Sequence, residues 1–309
     1  CPPMSAPTRA RARLFLVLAA ILFATGGPAI KACSLGAWQI ACLRSGVATL
    51  ALCLFARPPL EAFRGGAALV GLAHGATLVL FVSATKLTTA SHAIFLQDSS
   101  VLYVLLLSPL LLSERLFRHD GLVMLLVVAG MGLLFAGDLG ASPTAPDPLL
   151  GNSLAAASGV TWALTVVGMR TLARRDGART QGALAAVVCG NAFACLATLW
   201  PAWAAGGGVP PGTLGALGGF SGLWGQNLAW VLYLGVVQIA LAYVFVARGL
   251  AGVTALEGAL ILLLEPLLNS LFTWALHGEA PGALAWLGGA AILAGTGVKA
   301  WFARGEPRD

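Results

Sequence analysis

Charge is what this sequence has least of. Only 10% of its 309 residues are Asp, Glu, Lys or Arg, where a water-soluble domain carries about 25%. A chain so poor in charge, 58% hydrophobic and with a mean hydropathy of +0.87, cannot cover itself with a hydrated surface and belongs in a bilayer. Acids are scarcer than bases, 12 against 18, which leaves a net charge of +6. A basic balance also suits nucleic acid. Here the bases lie in short loops and at the ends, so the reading is anchoring of membrane helices, with no nucleic-acid partner. The six cysteines (Cys1, Cys33, Cys42, Cys53, Cys189 and Cys195) show no C-x-x-C spacing, and most sit inside apolar runs. That excludes a disulfide frame or a cysteine zinc site. Four histidines include no i, i+4 pair. A metal site from His74, His92 and Asp98 therefore has no spacing behind it, and neither metal nor cofactor is expected. H-E-x-x-H, G-x-S-x-G and phosphate-binding loops are missing too, so the chain is not read as an enzyme or an ATP-driven pump.

What the sequence has in abundance is long apolar runs. A membrane-crossing helix needs about 20 apolar residues. The sequence supplies ten such stretches, at 14–32, 35–56, 66–86, 89–112, 120–137, 150–172, 181–203, 227–248, 252–275 and 282–302. The fold class is thus an all-α integral membrane protein. The Gly- and Pro-rich segment 204–226 reads as a loop. Loop charge sets orientation. One set of alternate ends carries the arginines at 9–13, 57–64, 115–118, 170–179, 248 and 304–308 with Lys299, while the opposite set has only Lys31 and Lys86. Both termini are then cytoplasmic, which requires an even number of spans. Residues 1–13 are basic and precede an apolar run, as in a signal peptide. They read instead as a retained cytoplasmic tail, as do 303–309 at the other end. The acidic, Pro-rich stretch 138–149 falls outside and divides the spans five and five, into 14–137 and 150–302.

The two halves echo each other. The stretch 253–279, VTALEGALILLLEPLLNSLFTWALHGE, repeats without a gap the stretch 88–114, TTASHAIFLQDSSVLYVLLLSPLLLSE. Thr89, Ala90, Leu102, Leu106, Leu111 and Glu114 fall on Thr254, Ala255, Leu267, Leu271, Leu276 and Glu279, and Ala129, Gly130 and Gly132 fall on Ala294, Gly295 and Gly297. More weakly, FATGGPAIK at 23–31 aligns with WALTVVGMR at 162–170, placing Lys31 opposite Arg170. An odd number of spans per half makes the repeat inverted. In membrane chains such a repeat points to a transporter with its site between the halves.

Polar residues inside the spans mark that site. A carboxylate in hydrocarbon costs roughly 2.5–3.5 kcal/mol on insertion scales, and Glu265 is followed by a helix-kinking proline, Pro266. At about 100° per residue, Ser91, His92, Asp98, Ser99 and Tyr103 share one arc of span four. Gln97 and Ser100 lie across from it and suit helix contacts. Glu257, Glu265, Asn269 and Thr273 share an arc of span nine, and His74, Thr77, Phe81 and Thr85 one of span three. Asp98 and Glu265 are candidate proton-exchanging or amine-binding carboxylates. The alternative is a structural carboxylate satisfied by a neighbour such as Arg44. Glu257, nearer the cytoplasmic end, suits snorkelling or a gate. His74, between Gly71 and Gly75, and His92 are either titrating groups or packing hydrogen bonders. Arg44 either grips a substrate carboxylate or pairs with an intramembrane acid. Phe23, Trp162 and Tyr243 are candidate aromatic walls, whereas Trp230 and Tyr233 lean to an interfacial belt.

Taken together, the five-plus-five spans, Arg44 in ACLRSGVATLAL, Ser113-Glu114 and Gly278-Glu279 ending spans four and nine, Glu265-Pro266 within LLLEPLLNSLF and the Gly-rich fifth and tenth spans give the chain a family likeness. It resembles the EamA-type branch of the drug/metabolite transporter superfamily over nearly its whole length. The first half departs from the second, with Ser100-Val101 where the second has Glu265-Pro266. The resemblance implies a cavity lined by spans 1, 3, 4, 6, 8 and 9 that opens alternately to each side. It implies a bacterial inner-membrane protein, monomer or homodimer, exporting an amino acid or related amphipathic metabolite, with protons as the candidate coupling ion. A passive facilitator and a multidrug or cation exporter are the alternatives. The expected binding or coupling residues are Asp98, Glu265, His74, His92, Tyr103, Trp162, Tyr243, Asn269 and Arg44.

Overall fold

The computed structural model of the protein describes residues 9–64, 66–112, 120–136, 142–175, 180–206, 224–262, 264–278, 280 and 282–302. Among these, helices account for nearly everything, and the one β feature is an isolated bridge between Ser142 and Ala145. The helices are α1 (Arg9–Ala24), α2 (Gly26–Ala32), α3 (Ala37–Phe55), α4 (Ala67–Leu87), α5 (Ala90–Asp98), α6 (Ser100–Leu112) and α7 (Asp120–Phe135) in the first half. The second half contributes α8 (Pro148–Arg175), α9 (Gln181–Gly206), α10 (Trp224–Leu232), a π-helix (Tyr233–Leu241), α11 (Ala242–Gly252), α12 (Ala255–Leu262), α13 (Leu264–His277) and α14 (Ala283–Phe302). Helix is the form a chain this apolar must take in lipid, because it satisfies its own backbone groups.

Eight helices among the described residues are long and apolar enough to cross a membrane. Two shorter apolar helices, Gly121–Leu133 and Ala283–Gly295, stand where the sequence places spans five and ten. The segment read as a loop from 204 to 226 is helical at both ends, since α9 runs to Gly206 and α10 starts at Trp224.

Local chemistry explains where helices start and break. Thr89 caps α5 by accepting the His92 N–H at 3.2 Å. Its repeat counterpart Thr254 accepts the Glu257 N–H at 3.1 Å. Both are N-caps that satisfy a donor the helix cannot. The first span breaks at Thr25, ahead of Gly26-Gly27-Pro28, where the Thr25 hydroxyl donates to the Leu22 carbonyl at 2.6 Å. The fourth breaks at Ser99, whose hydroxyl likewise donates to Leu96 O at 2.6 Å. α13 ends at Gly278 in the left-handed conformation (φ 68°), the usual helix stop.

The packing is reciprocal. α4 lies on α8 and α9, while the π-helix and α11 lie on α1 and α3. α5 and α6 lie on α8, while α12 and α13 lie on α1. α3 meets α9, α5 meets α13, and α7 meets α14. Exchanging each helix for its counterpart in the other half returns the same set of neighbours. One close seam is α4 against α9. A methyl group on Gly71 would stand 2.5 Å from Cys189 Cβ, and one on Gly75 would stand 2.7 Å from the Gly190 carbonyl. Small residues let these backbones touch.

Candidate functional site

Between the halves lies a small cavity, part of it open to the outside. α1 contributes Phe23, α3 Arg44, α4 Thr77, Leu78 and Phe81, and α5 Gln97. The second half contributes Trp162 from α8, Gln238 and Ile239 from the π-helix, Tyr243 from α11 and Glu265 from α13. The second span, through Arg44, joins the six spans the resemblance implies.

One wall is aromatic. Phe23 meets Trp162 edge-on at 6.4 Å between centroids and Tyr243 at 4.9 Å, and Trp162 meets Tyr243 at 6.0 Å. Phe23 and Trp162 are aligned positions of the two halves, so the repeat places equivalent rings against each other. The other wall is polar. Arg44 is 1% exposed. Its Nη2 donates to the Leu78 carbonyl at 3.1 Å, and its Nε has no partner. Tyr243 is within electrostatic reach of both Arg44 and Glu265, and Glu265 of Asp98. Asp98 and Glu265 are both buried, and Asp98 Oδ2 has no hydrogen-bond partner.

Of the residues singled out from sequence, Arg44, Trp162, Tyr243 and Glu265 stand on the cavity wall. His74 stands behind it. Its ring packs on Tyr243 at 4.5 Å, and its Nε2 lies 3.3 Å from Asn191 Nδ2. Asp98 closes the polar series beside Glu265. Asn269, one turn beyond Glu265, is buried against Gly27 and leaves its Nδ2 without a partner. His92 bonds through Nδ1 to Thr89 at 2.8 Å, at the helix cap. Tyr103 is half-buried against the main hydrophobic cluster. Glu114, Glu279 and Ser113 lie outside the described residues.

Sequence reasoning passed over Gln238. It is buried, packs on Gly26 and leaves Oε1 unpartnered at the cavity. The signal was an amide inside an apolar span. Gln97, read as a helix-contact residue, fills that role by accepting the Ser158 hydroxyl at 3.0 Å, and it also lines the cavity.

The two ends of the bundle are closed by different chemistry. At the end bearing the α1 start, Glu257 receives Arg9 Nη2 at 2.6 Å and Arg13 Nε at 2.7 Å, the two ion pairs among the described residues. At the opposite end, the Thr88 hydroxyl donates to Asn152 Oδ1 at 2.8 Å, and the Asp147 N–H donates to Leu87 O at 3.1 Å. There Lys31 donates to Thr88 O at 3.0 Å and also to Thr144 O, and Lys86 donates to Cys33 O at 2.7 Å. Lys31 has its aligned mate in Arg170, which donates to Leu250 O at 2.8 Å. Each cation thus caps the last carbonyls of the third span of its own half.

Comparison with known proteins adds to this geometry. A family model described as the EamA-like transporter family matches twice, at residues 10–136 and 149–299. An uncharacterized protein of Pseudomonas aeruginosa is 33% identical over 305 residues, covering 92% of this chain and 94% of its own. The permease-like protein YdzE of Bacillus subtilis is 38% identical over 64 residues, 21% of this chain and 82% of its own. A crystal structure of a protein at 21% identity superposes with a TM-score of 0.65 over 96% of this chain and 99% of that one. That last likeness concerns the fold alone.

Proposed function

The chain belongs to the EamA-like transporter family of the drug/metabolite transporter superfamily, and on that premise we propose that it is a secondary active exporter of an amino acid or related amphipathic metabolite. The observation that carries the reading is a pair of buried carboxylates in a membrane bundle, Glu265 on the wall of a cavity between the halves and Asp98 within its electrostatic reach. Intramembrane acids are expensive and mark transport pathways. A pair of them can exchange protons with the substrate's movement. The mechanism is alternating access, in which the end closed by Glu257 and the end closed by Thr88 and Asn152 open in turn.

The halves, 14–137 and 150–302, act as inverted five-helix repeats. The reciprocal packing and the doubled family match support this. The chain sits in the inner membrane with both termini cytoplasmic, a reading supported by the arginine-rich ends.

Flux in proteoliposomes under an imposed proton gradient tests the coupling. Wild-type protein is expected to concentrate substrate against its gradient, and Glu265→Gln to abolish that accumulation. Flux that ignores the proton gradient and survives Glu265→Gln removes coupling and leaves a passive facilitator.

A further inference from the structure

We propose that Cys42 and Cys195 are a disulfide-forming site inside the membrane, oxidised from the lipid by a quinone, that fastens the two halves where α3 crosses α9. The two cysteines lie 153 positions apart, so spacing along the chain gives no sign of them. In the fold their Sγ atoms are 3.7 Å apart, and the Cys42 thiol donates to the Cys195 carbonyl at 3.5 Å. No other two cysteines make such a contact among the described residues. α3 belongs to the first half and α9 to the second.

The pair is also a repeat pair. IACL at 40–43 falls without a gap on FACL at 193–196, so Ala41, Cys42 and Leu43 match Ala194, Cys195 and Leu196, and Ser45 matches Thr198. α3 and α9 are counterpart helices that pack on each other. A residue that touches its own counterpart lies on the axis relating the halves, as in an isologous contact. In an inverted repeat, the two end states of alternating access exchange the roles of the halves. The distance from a residue to its own counterpart is then equal in both, and the link holds through the cycle. That last step rests on the transporter reading; the thiol chemistry does not.

Access comes from the lipid. Cys42 is buried and Cys195 half-buried, and one turn away on each helix Trp38 and Leu199 are exposed by 43% and 54%. An apolar oxidant dissolved in the bilayer can reach Cys195, whereas a charged thiol such as glutathione stays in the water. Both S–H bonds break, one S–S bond forms, and two electrons and two protons pass to the quinone, which leaves as the quinol. Quinone is where the electrons of bacterial periplasmic disulfide formation go. A disulfide sets its sulfurs about 2.05 Å apart. Gly46 leaves room for the thiols to turn toward each other, since a methyl group there would stand 3.3 Å from Cys195 Sγ.

The test uses the full chain in proteoliposomes treated with tetramethyl-benzoquinone, whose fully substituted ring takes electrons without adding a thiol. The protein is then denatured, its free thiols are alkylated, and its peptides are mapped by mass spectrometry. Two fewer thiols per chain are expected to label, with a linked peptide joining Cys42 to Cys195, and dithiothreitol is expected to restore both. Cys42→Ala and Cys195→Ala should each abolish that peptide. Full labelling after quinone overturns the assignment, as do links that join other cysteines equally often. If neither variant folds, the linked peptide of the unaltered protein decides alone. Efflux of a radiolabelled mixture of L-amino acids tests the axis separately. Oxidised protein is expected to carry it at an undiminished rate. Oxidation that stops flux, with recovery on reduction, overturns the axis placement and keeps the disulfide site. Carriage in neither state removes the proposed function and leaves the disulfide site standing on its linked peptide.

Discussion

The two ends of the bundle do equivalent jobs with opposite chemistry. The alignment that sets Lys31 opposite Arg170 also sets Arg13 opposite Asn152, and the longer repeat sets Glu257 opposite His92. At one end, Arg13 and Arg9 therefore grip Glu257 across α1 and α12. At the other, Asn152 takes a hydroxyl from Thr88 while His92 turns to its own helix cap. The arginine side chains are 46% and 54% exposed, whereas Thr88 and Asn152 are buried at 1% and 0%. A charged contact near water is shielded by salt and contributes little at rest. A neutral contact in the interior is indifferent to salt and leaves an unsatisfied group when broken. The same architecture thus carries an ion-pair contact that salt weakens and a buried hydroxyl–amide contact that it does not.

The comparison breaks most severely at Gly151. A methyl group there would stand 2.7 Å from the Thr88 N–H nitrogen, so Gly151→Leu is expected to force α8 off the end of α4. Overpacking of this kind costs about 3 kcal/mol, and denaturation in mixed micelles should show a lowered midpoint. Next comes Asn152→Ala, which strands the buried Thr88 hydroxyl. A loss of about 2 kcal/mol is expected, equal at low and high salt. A salt-dependent loss would mean that this end is wetter than its burial implies. The smallest effect is expected from Glu257→Gln, at most about 1 kcal/mol. That difference from wild type should fade as salt is raised to roughly 1 M. If it persists there, the Glu257 contact behaves as a buried pair and the contrast between the ends collapses.

Much of this was legible from residue types and spacing. Apolar runs located the helices because hydrocarbon admits few alternatives. The aligned Thr89 and Thr254 turned out to be matching caps. Arg44, Trp162, Tyr243 and Glu265 could be picked out because polar and aromatic residues inside apolar helices need partners. What remained hidden depended on departures from the regular α-helix. The arc joining Asp98 to Tyr103 assumes one continuous helix. The chain turns at Ser99, and Tyr103 beyond it lies half-buried against the cluster that holds Phe23, Trp162 and Tyr243. Gln238 sits on a π-helix, whose i→i+5 bonding changes which side chains share a face. Gly26 and Gly27 gave no sign of their role, because it appears only when Gln238 and Asn269 pack onto them.

The glycine seam between α4 and α9 has a mechanical side. Where Gly71 and Gly75 press on Cys189 and Gly190, no layer of side chains separates the two backbones. Side chains can roll past one another like bearings, but touching main chains cannot slide without collision. In the alternating access proposed above, α4 and α9 would therefore move as one body and carry Thr77, Leu78 and Phe81 with them. On that proposal the stroke would fall to the helices facing those residues, α1, α11 and α13, which carry Phe23, Tyr243 and Glu265.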